Sequence, residues 1–140
     1  MTLVLDAAPL VTLADAKEPQ LETLLKIRGD EEGALVLPAP VAAEVDYLLG
    51  VRFGEAARRA FLSDLAAGRY DVACLEAGDY QQVAEIESRY ADLGLGLADC
   101  SILVVADRHA TRRLLTFDER HFRAVTPLQG GAFELLPADS

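Results

Sequence analysis

The sequence contains no tryptophan, one methionine and only two cysteines. Cys74 and Cys100 are far apart, with no second Cys or His at ligand spacing. A disulfide scaffold and a cysteine-based zinc site are therefore both excluded. Long hydrophobic runs are missing as well. The longest uninterrupted apolar stretch is Ile102 to Ala106, whereas a membrane-spanning helix needs about 20 such residues. The N-terminus has no basic segment, and Asp6 interrupts its apolar start. No secretory signal is read, and a cytoplasmic protein without membrane association is expected. Positive charge is also scarce. Lys and Arg number 13 against 23 Asp and Glu, a net charge of −10, which argues against a broad phosphate-binding face.

Apolar residues, by contrast, make up 51% of the chain. That content excludes a disordered acidic tail. With 140 residues, it predicts one domain over 1–140 with a core of its own. The acidity is uneven. Residues 1–50 hold three basic and nine acidic side chains, residues 51–100 five and nine, and residues 101–140 five of each. Eleven of the 13 basic residues are Arg, the better fork for phosphate and also a common surface ion-pair partner.

Strand and helix patterns alternate, with no Gly/Ser linker and no repeat. Strands are expected at Thr2–Leu5, Ala34–Leu37, Tyr70–Leu75, Arg113–Thr116 and Ala132–Leu136. Helices are expected near Pro9 and Leu21, from Pro40 to a stop at Gly50, and from Phe53 to Ala67. Two more are expected at Asp79–Tyr90 and, buried almost all round, at Leu97–Ala110. Such alternation predicts an α/β fold, a three-layer α/β/α sandwich around a central parallel sheet. Ligands of such sheets bind beyond the carboxyl ends of the strands.

Four acids stand out against that pattern. Asp6 ends the apolar strand Leu3-Val4-Leu5, and Asp118 follows Leu115-Thr116-Phe117. Glu44 sits at the edge of an apolar helical stripe with Val41 and Leu48. Asp99 opens a helix whose neighbouring positions are Ile102, Leu103 and Ala106. Taken singly, Asp6 and Asp99 also fit helix N-caps, Glu44 an amphipathic edge and Asp118 a turn. Taken together, carboxylates converging at one sheet edge would repel each other unless a divalent cation lay among them. Mg²⁺ and Mn²⁺ favour oxygen ligands, and such a site can activate water for attack on a phosphodiester.

The segments Leu3-Val4-Leu5-Asp6, Val41-Ala42-Ala43-Glu44-Val45, Gly96-Leu97-Ala98-Asp99-Cys100-Ser101-Ile102 and Leu115-Thr116-Phe117-Asp118-Glu119-Arg120-His121-Phe122 resemble the PIN domain. More narrowly, they resemble VapC-type toxins of bacterial toxin–antitoxin pairs. The resemblance runs from residue 2 to about 137. It implies a PIN-like fold, a Mg²⁺- or Mn²⁺-dependent endoribonuclease, a cognate VapB-type antitoxin and a homodimer. Asp6, Glu44 and Asp99 match the family's acidic triad and Asp118 its more variable fourth acid. These four are the expected catalytic residues and metal ligands. Thr116 matches the small polar residue before that acid and is expected to touch metal-bound water or phosphate. The family often has Ser, Thr or Asn two residues after the first Asp; here it is Ala8, so either the activity is weaker or another group supplies the hydrogen bond that orients Asp6.

Arg112, Arg113, Arg120 and Arg123 are expected near the RNA because they flank Asp118 in sequence. Arg52, Arg58 and Arg59 are assigned to the antitoxin side. His109 and His121 read as a helix-end residue and a structural neighbour of Phe122. Two rival readings exist. A receiver domain needs paired acids after the first strand and a late Lys, but Ala7-Ala8 follow Asp6 and both lysines precede residue 30. A PIN-fold binding module with weak or no nuclease activity is the alternative, with Ala8 as its footing.

Overall fold

A computed structural model of the chain describes residues 2–140. Five short strands form one sheet: β1 (Leu3–Leu5), β2 (Leu35–Pro38), β3 (Asp71–Ala73), β4 (Arg113–Leu115) and β5 (Glu134–Leu136). Their order is β3-β2-β1-β4-β5, and every pairing is parallel. Leu3 pairs with Leu35, Leu5 with Leu115, and Leu115 in turn with Leu136. The expected α/β architecture is therefore the observed one. Apart from Arg113 at the start of β4, the inner strands are apolar because helices flank the sheet; Leu3, Val4, Leu5, Val36, Leu37, Leu114 and Leu115 are all buried.

Among the described residues, seven α-helices connect the strands: α1 (Ala7–Thr12), α2 (Leu21–Asp30), α3 (Ala39–Phe53), α4 (Glu55–Ala66), α5 (Asp79–Arg89), α6 (Leu97–Arg108) and α7 (Glu119–Ala124). As its nearly continuous apolar sequence requires, α6 is the central helix. Residues from Cys100 to Ala106 are buried along it, and it lies against β1 and β2 with α3 and α5 packed on it. Among the described residues, no helix is long and apolar enough to cross a membrane.

The structure departs locally from the sequence reading at three places. Gly50 does not end α3; the helix continues to Phe53 and stops at Gly54, whose φ of 89° and ψ of −179° lie in a region open essentially to glycine alone. Gly50 instead lets α4 come close, since a Cβ there would meet Arg58 Cδ at 3.3 Å. The expected strands 70–75 and 132–136 shorten to three residues each. The short helix α7 is not legible in the sequence. It is too short for a periodic pattern and is held by its cap, Asp118, which accepts a hydrogen bond from His121 N.

The strand order reverses beside β1, whose neighbours are β2 and β4. This is the topological switch point at which open parallel sheets form a crevice at their carboxyl ends. Asp6 follows β1 and Thr116 follows β4 at that edge. Backbone N–H groups there prolong the ladder, with Asp6 N donating to Leu115 O and Thr116 N to Leu136 O, each at 2.9 Å.

Candidate active site

The crevice is lined by Asp6, Ala7, Ala8, Glu44, Leu48, Arg52, Asp99, Phe117, Asp118 and His121. All four acids singled out in the sequence reach it, each carried by a different element. Asp6 is the N-cap of α1. Glu44 stands on the second turn of α3, Asp99 in the first turn of α6, and Asp118 is the N-cap of α7. The N-cap reading of Asp6 and its place in the site hold together, because one oxygen caps while the other is held separately. Asp99 is no cap: Gly96 fills that position and no side chain caps α6.

Asp6 is fixed at both oxygens. Oδ1 accepts from Ala7 N at 2.8 Å and Oδ2 from Thr116 Oγ1 at 2.6 Å. Thr116 Oγ1 also accepts from Asp118 N at 2.9 Å. One buried hydroxyl thus ties the first acid to the loop that carries the fourth. This places Thr116 differently from the sequence expectation. It is 1% exposed and its proton is given to Asp6, so it orients the carboxylate and does not reach out to phosphate. It also supplies the hydrogen bond that Ala8 cannot make.

Asp118 is fixed in a similar way by His121. Oδ1 accepts from His121 N at 3.0 Å, and Oδ2 lies 2.7 Å from His121 Nδ1. The same ring nitrogen is 3.9 Å from Asp99 Oδ2. His121 is therefore part of the crevice, contrary to its reading as a structural neighbour of Phe122. One atom from each of Asp99, Asp118 and His121 lies within 4.8 Å of the others, a spacing that a single cation can bridge. The sequence signal was the Asp-x-x-His spacing, which on one helical turn brings the two side chains together.

The electrostatics confirm the crowding. Burial pushes Asp99 up from its ordinary 3.8 to about 6, and the charges of Asp6, Asp118 and Glu44 push the same way, with His121 opposing. Asp6 is also raised, chiefly by burial, against the lowering effect of its bonds from Thr116 and Ala7. Glu44 is raised by burial and then by Asp6. Asp99 feels the other three acids, and a cation among them would reverse that sign. The donor set suits a hard divalent ion: carboxylate oxygens from four elements, with one imidazole nitrogen at the edge.

The structure sorts the arginines differently from the sequence reading. Arg112 and Arg113 lie at the beginning of β4, the opposite end from Thr116. Arg112 donates to Gly130 O at 2.7 Å. Arg113 pairs with the nearly buried Glu31 at 2.5 Å and reaches Glu134 at 3.7 Å. Both are structural clamps, because they stand at the amino end of β4 and the strand carries the chain from them toward the crevice. Arg123 is held between Glu119 and Asp139, and Arg58 between Glu55 and Asp46. Arg120 is exposed on α7, next to His121. Arg52, assigned to a partner surface from sequence, lines the crevice itself.

Comparison with known proteins agrees with this geometry. A family model for the PIN domain matches residues 3–126. The chain is 38% identical over 135 residues to Ribonuclease VapC26 of Mycobacterium tuberculosis, covering 96% of this chain and all of that relative. Its fold superposes on that of Mycobacterium tuberculosis VapC20, a sarcin-ricin loop cleaving toxin, with a TM-score of 0.77 at 18% identity over 84% of this chain and 91% of that one. It also superposes on VapBC2 from Rickettsia felis, solved bound to a DNA fragment from their promoter, with a TM-score of 0.70 at 17% identity over 96% and 98%. With the family model spanning most of its length and a VapC relative at this identity, the chain belongs to the PIN-domain family, in its VapC branch.

Proposed function

We propose that this chain is the ribonuclease toxin of a toxin–antitoxin pair, hydrolysing RNA phosphodiesters in the cytoplasm with Mg²⁺ or Mn²⁺. The observation that carries this reading is the convergence of Asp6, Glu44, Asp99 and Asp118 on one crevice at the switch point of the sheet. Asp6, Glu44 and Asp99 hold their protons more tightly than usual, and none of the four acids pairs with Lys or Arg among the described residues. They are the residues we assign to the metal. When bound, a divalent ion would supply positive charge against the phosphoryl oxygens and make water more acidic. Mg²⁺ fits the carboxylates alone, whereas Mn²⁺ also tolerates the imidazole of His121.

The rest of the chemistry belongs to the chain's own groups. Thr116 and Ala7 N keep Asp6 in one orientation, and His121 keeps Asp118 in another. Preset ligands of this kind spare the reorganisation that would otherwise accompany reaction. The expected products carry a 5′-phosphate and a 3′-hydroxyl. The partners follow from the same reading: an RNA substrate, a second copy in a homodimer, and a VapB-type antitoxin. The binding-module alternative rested on Ala8, and the Thr116 bond to Asp6 removes that footing.

The test is brief induction of the chain in cells, followed by sequencing of RNA 5′ ends, with Asp99→Ala as control. New ends with wild type and none with the variant support the proposal. The purified chain is expected to cut the mapped RNA with Mg²⁺ or Mn²⁺ and to stop on chelation. Full metal-dependent cleavage by Asp99→Ala would overturn the assignment.

A further inference from the structure

Most arginines of this chain are committed to protein groups. Arg28 donates to Tyr70 Oη, and Arg58, Arg69, Arg108, Arg113 and Arg123 form ion pairs. Arg52 is different: it is exposed, lines the acidic crevice, and among the described residues has neither an ion pair nor a side-chain hydrogen bond. A cation whose purpose was to neutralise the four acids would sit against one of them. Arg52 does not, although unpaired carboxylates share its crevice.

Its position on α3 explains this. Glu44, Leu48 and Arg52 are spaced by four and so fall along one face of the helix. At 1.5 Å per residue, the backbone of Arg52 is about 12 Å farther along the axis than that of Glu44. Long helical side chains lean back toward the N-terminus, which here means toward Glu44. The guanidinium is thereby carried to the rim, short of the carboxylates. Leu48 lies between them and offers no competing polar group.

We infer that Arg52 is the phosphate anchor of the RNA track, and that it grips the phosphodiester next to the one that is cut. This rests on the ribonuclease reading above and adds a substrate contact to it. RNA approaching the crevice meets a strongly negative surface on a chain of net charge −10. A planar guanidinium with free donors can hold the two non-bridging oxygens of a phosphate in a bidentate pair. Standing off from the acids, it engages a neighbouring phosphate and leaves the scissile one to them. The contact is blind to base identity, so it sets register and affinity rather than sequence preference.

The experiment uses the full chain, the active metal and an oligoribonucleotide spanning a mapped cleavage site. Arg52→Ala is expected to raise KM about tenfold while kcat changes little, the pattern for lost uniform binding. The slope of log kcat/KM against log salt should become shallower by about 0.7, as for one lost phosphate contact on a single strand. Arg52→Lys should keep the slope and recover part of KM. Binding of the same RNA to Asp99→Asn chains, with and without Arg52→Ala, gives a second readout free of turnover. Replacing single phosphates by neutral methylphosphonates should then reveal one position, adjacent to the cleaved bond, at which the Arg52→Ala penalty disappears. Unchanged KM, slope and binding in Arg52→Ala beside an active wild type would overturn this inference alone, and lost antitoxin binding in that variant would assign Arg52 to the protein partner. A wild type that cuts no RNA would overturn both readings.

Discussion

Asp99→Asn should make the metal-free protein more stable at neutral pH while removing its activity. Asp99 has a native pKa of about 6 against an ordinary 3.8. A shift of about 2 units corresponds to about 3 kcal/mol. The side chain is only 24% exposed, so solvent screens little of this. Because the native state holds this proton more tightly than the unfolded state, stability falls as pH rises from about 4 to 6. Above that window the whole penalty is present, and below it the penalty vanishes. Asn has nearly the same shape and no charge to desolvate. For a chain of this length, about 3 kcal/mol corresponds to about 10 °C in Tm. The assay is thermal unfolding in EDTA from pH 4 to 8. The variant should melt well above wild type at pH 8, and the two curves should meet near pH 4. Added Mn²⁺ should then raise wild type more than the variant, by linkage to binding. Equal melting temperatures at pH 8 in EDTA, or a gap that does not close in acid, would refute the reasoning.

Thr116→Val removes one hydroxyl from two bonds and leaves Asp118 N without its acceptor. A loss of about 1–3 kcal/mol in denaturant unfolding is expected, with metal affinity down about 10–100-fold by calorimetry. Arg113→Ala strands the nearly buried Glu31 and should lose about 3 kcal/mol, yet leave KM for RNA unchanged in steady-state assays. Gly54→Ala forces a side chain into a backbone region reserved for glycine and should lose about 1–3 kcal/mol of stability by urea titration.

The architecture and the four acids of the crevice were readable from local sequence alone. Leu3-Val4-Leu5 and Ala34-Leu35-Val36-Leu37 are too short and too uniformly apolar for surface elements, so parallel strands covered on both sides were legible. Asp6 was legible because a carboxylate directly after such a strand needs a partner, and Asp118 because it lies just beyond the Leu114-Leu115 strand. Asp99 was legible because helical periodicity set it beside Ile102, Leu103 and Ala106. These are local signals, carried by residues within one or two turns of each other.

The remaining contacts join residues far apart in the chain, which only the fold brings together. Thr116 meets Asp6 across 110 positions, because β1 and β4 are neighbours in the sheet. No local pattern shows that a hydroxyl after the fourth strand finishes the orientation of the first acid. Arg112 and Arg113 are close to Asp118 in sequence but at the other end of a strand, since each β-residue advances the chain by more than 3 Å. Arg52, eight residues beyond Glu44, returns to the crevice because α3 continues through Gly50 and keeps both on one face. Local residue chemistry selected which side chains could hold a metal; the order of the strands and the length of one helix decided which others stand beside them.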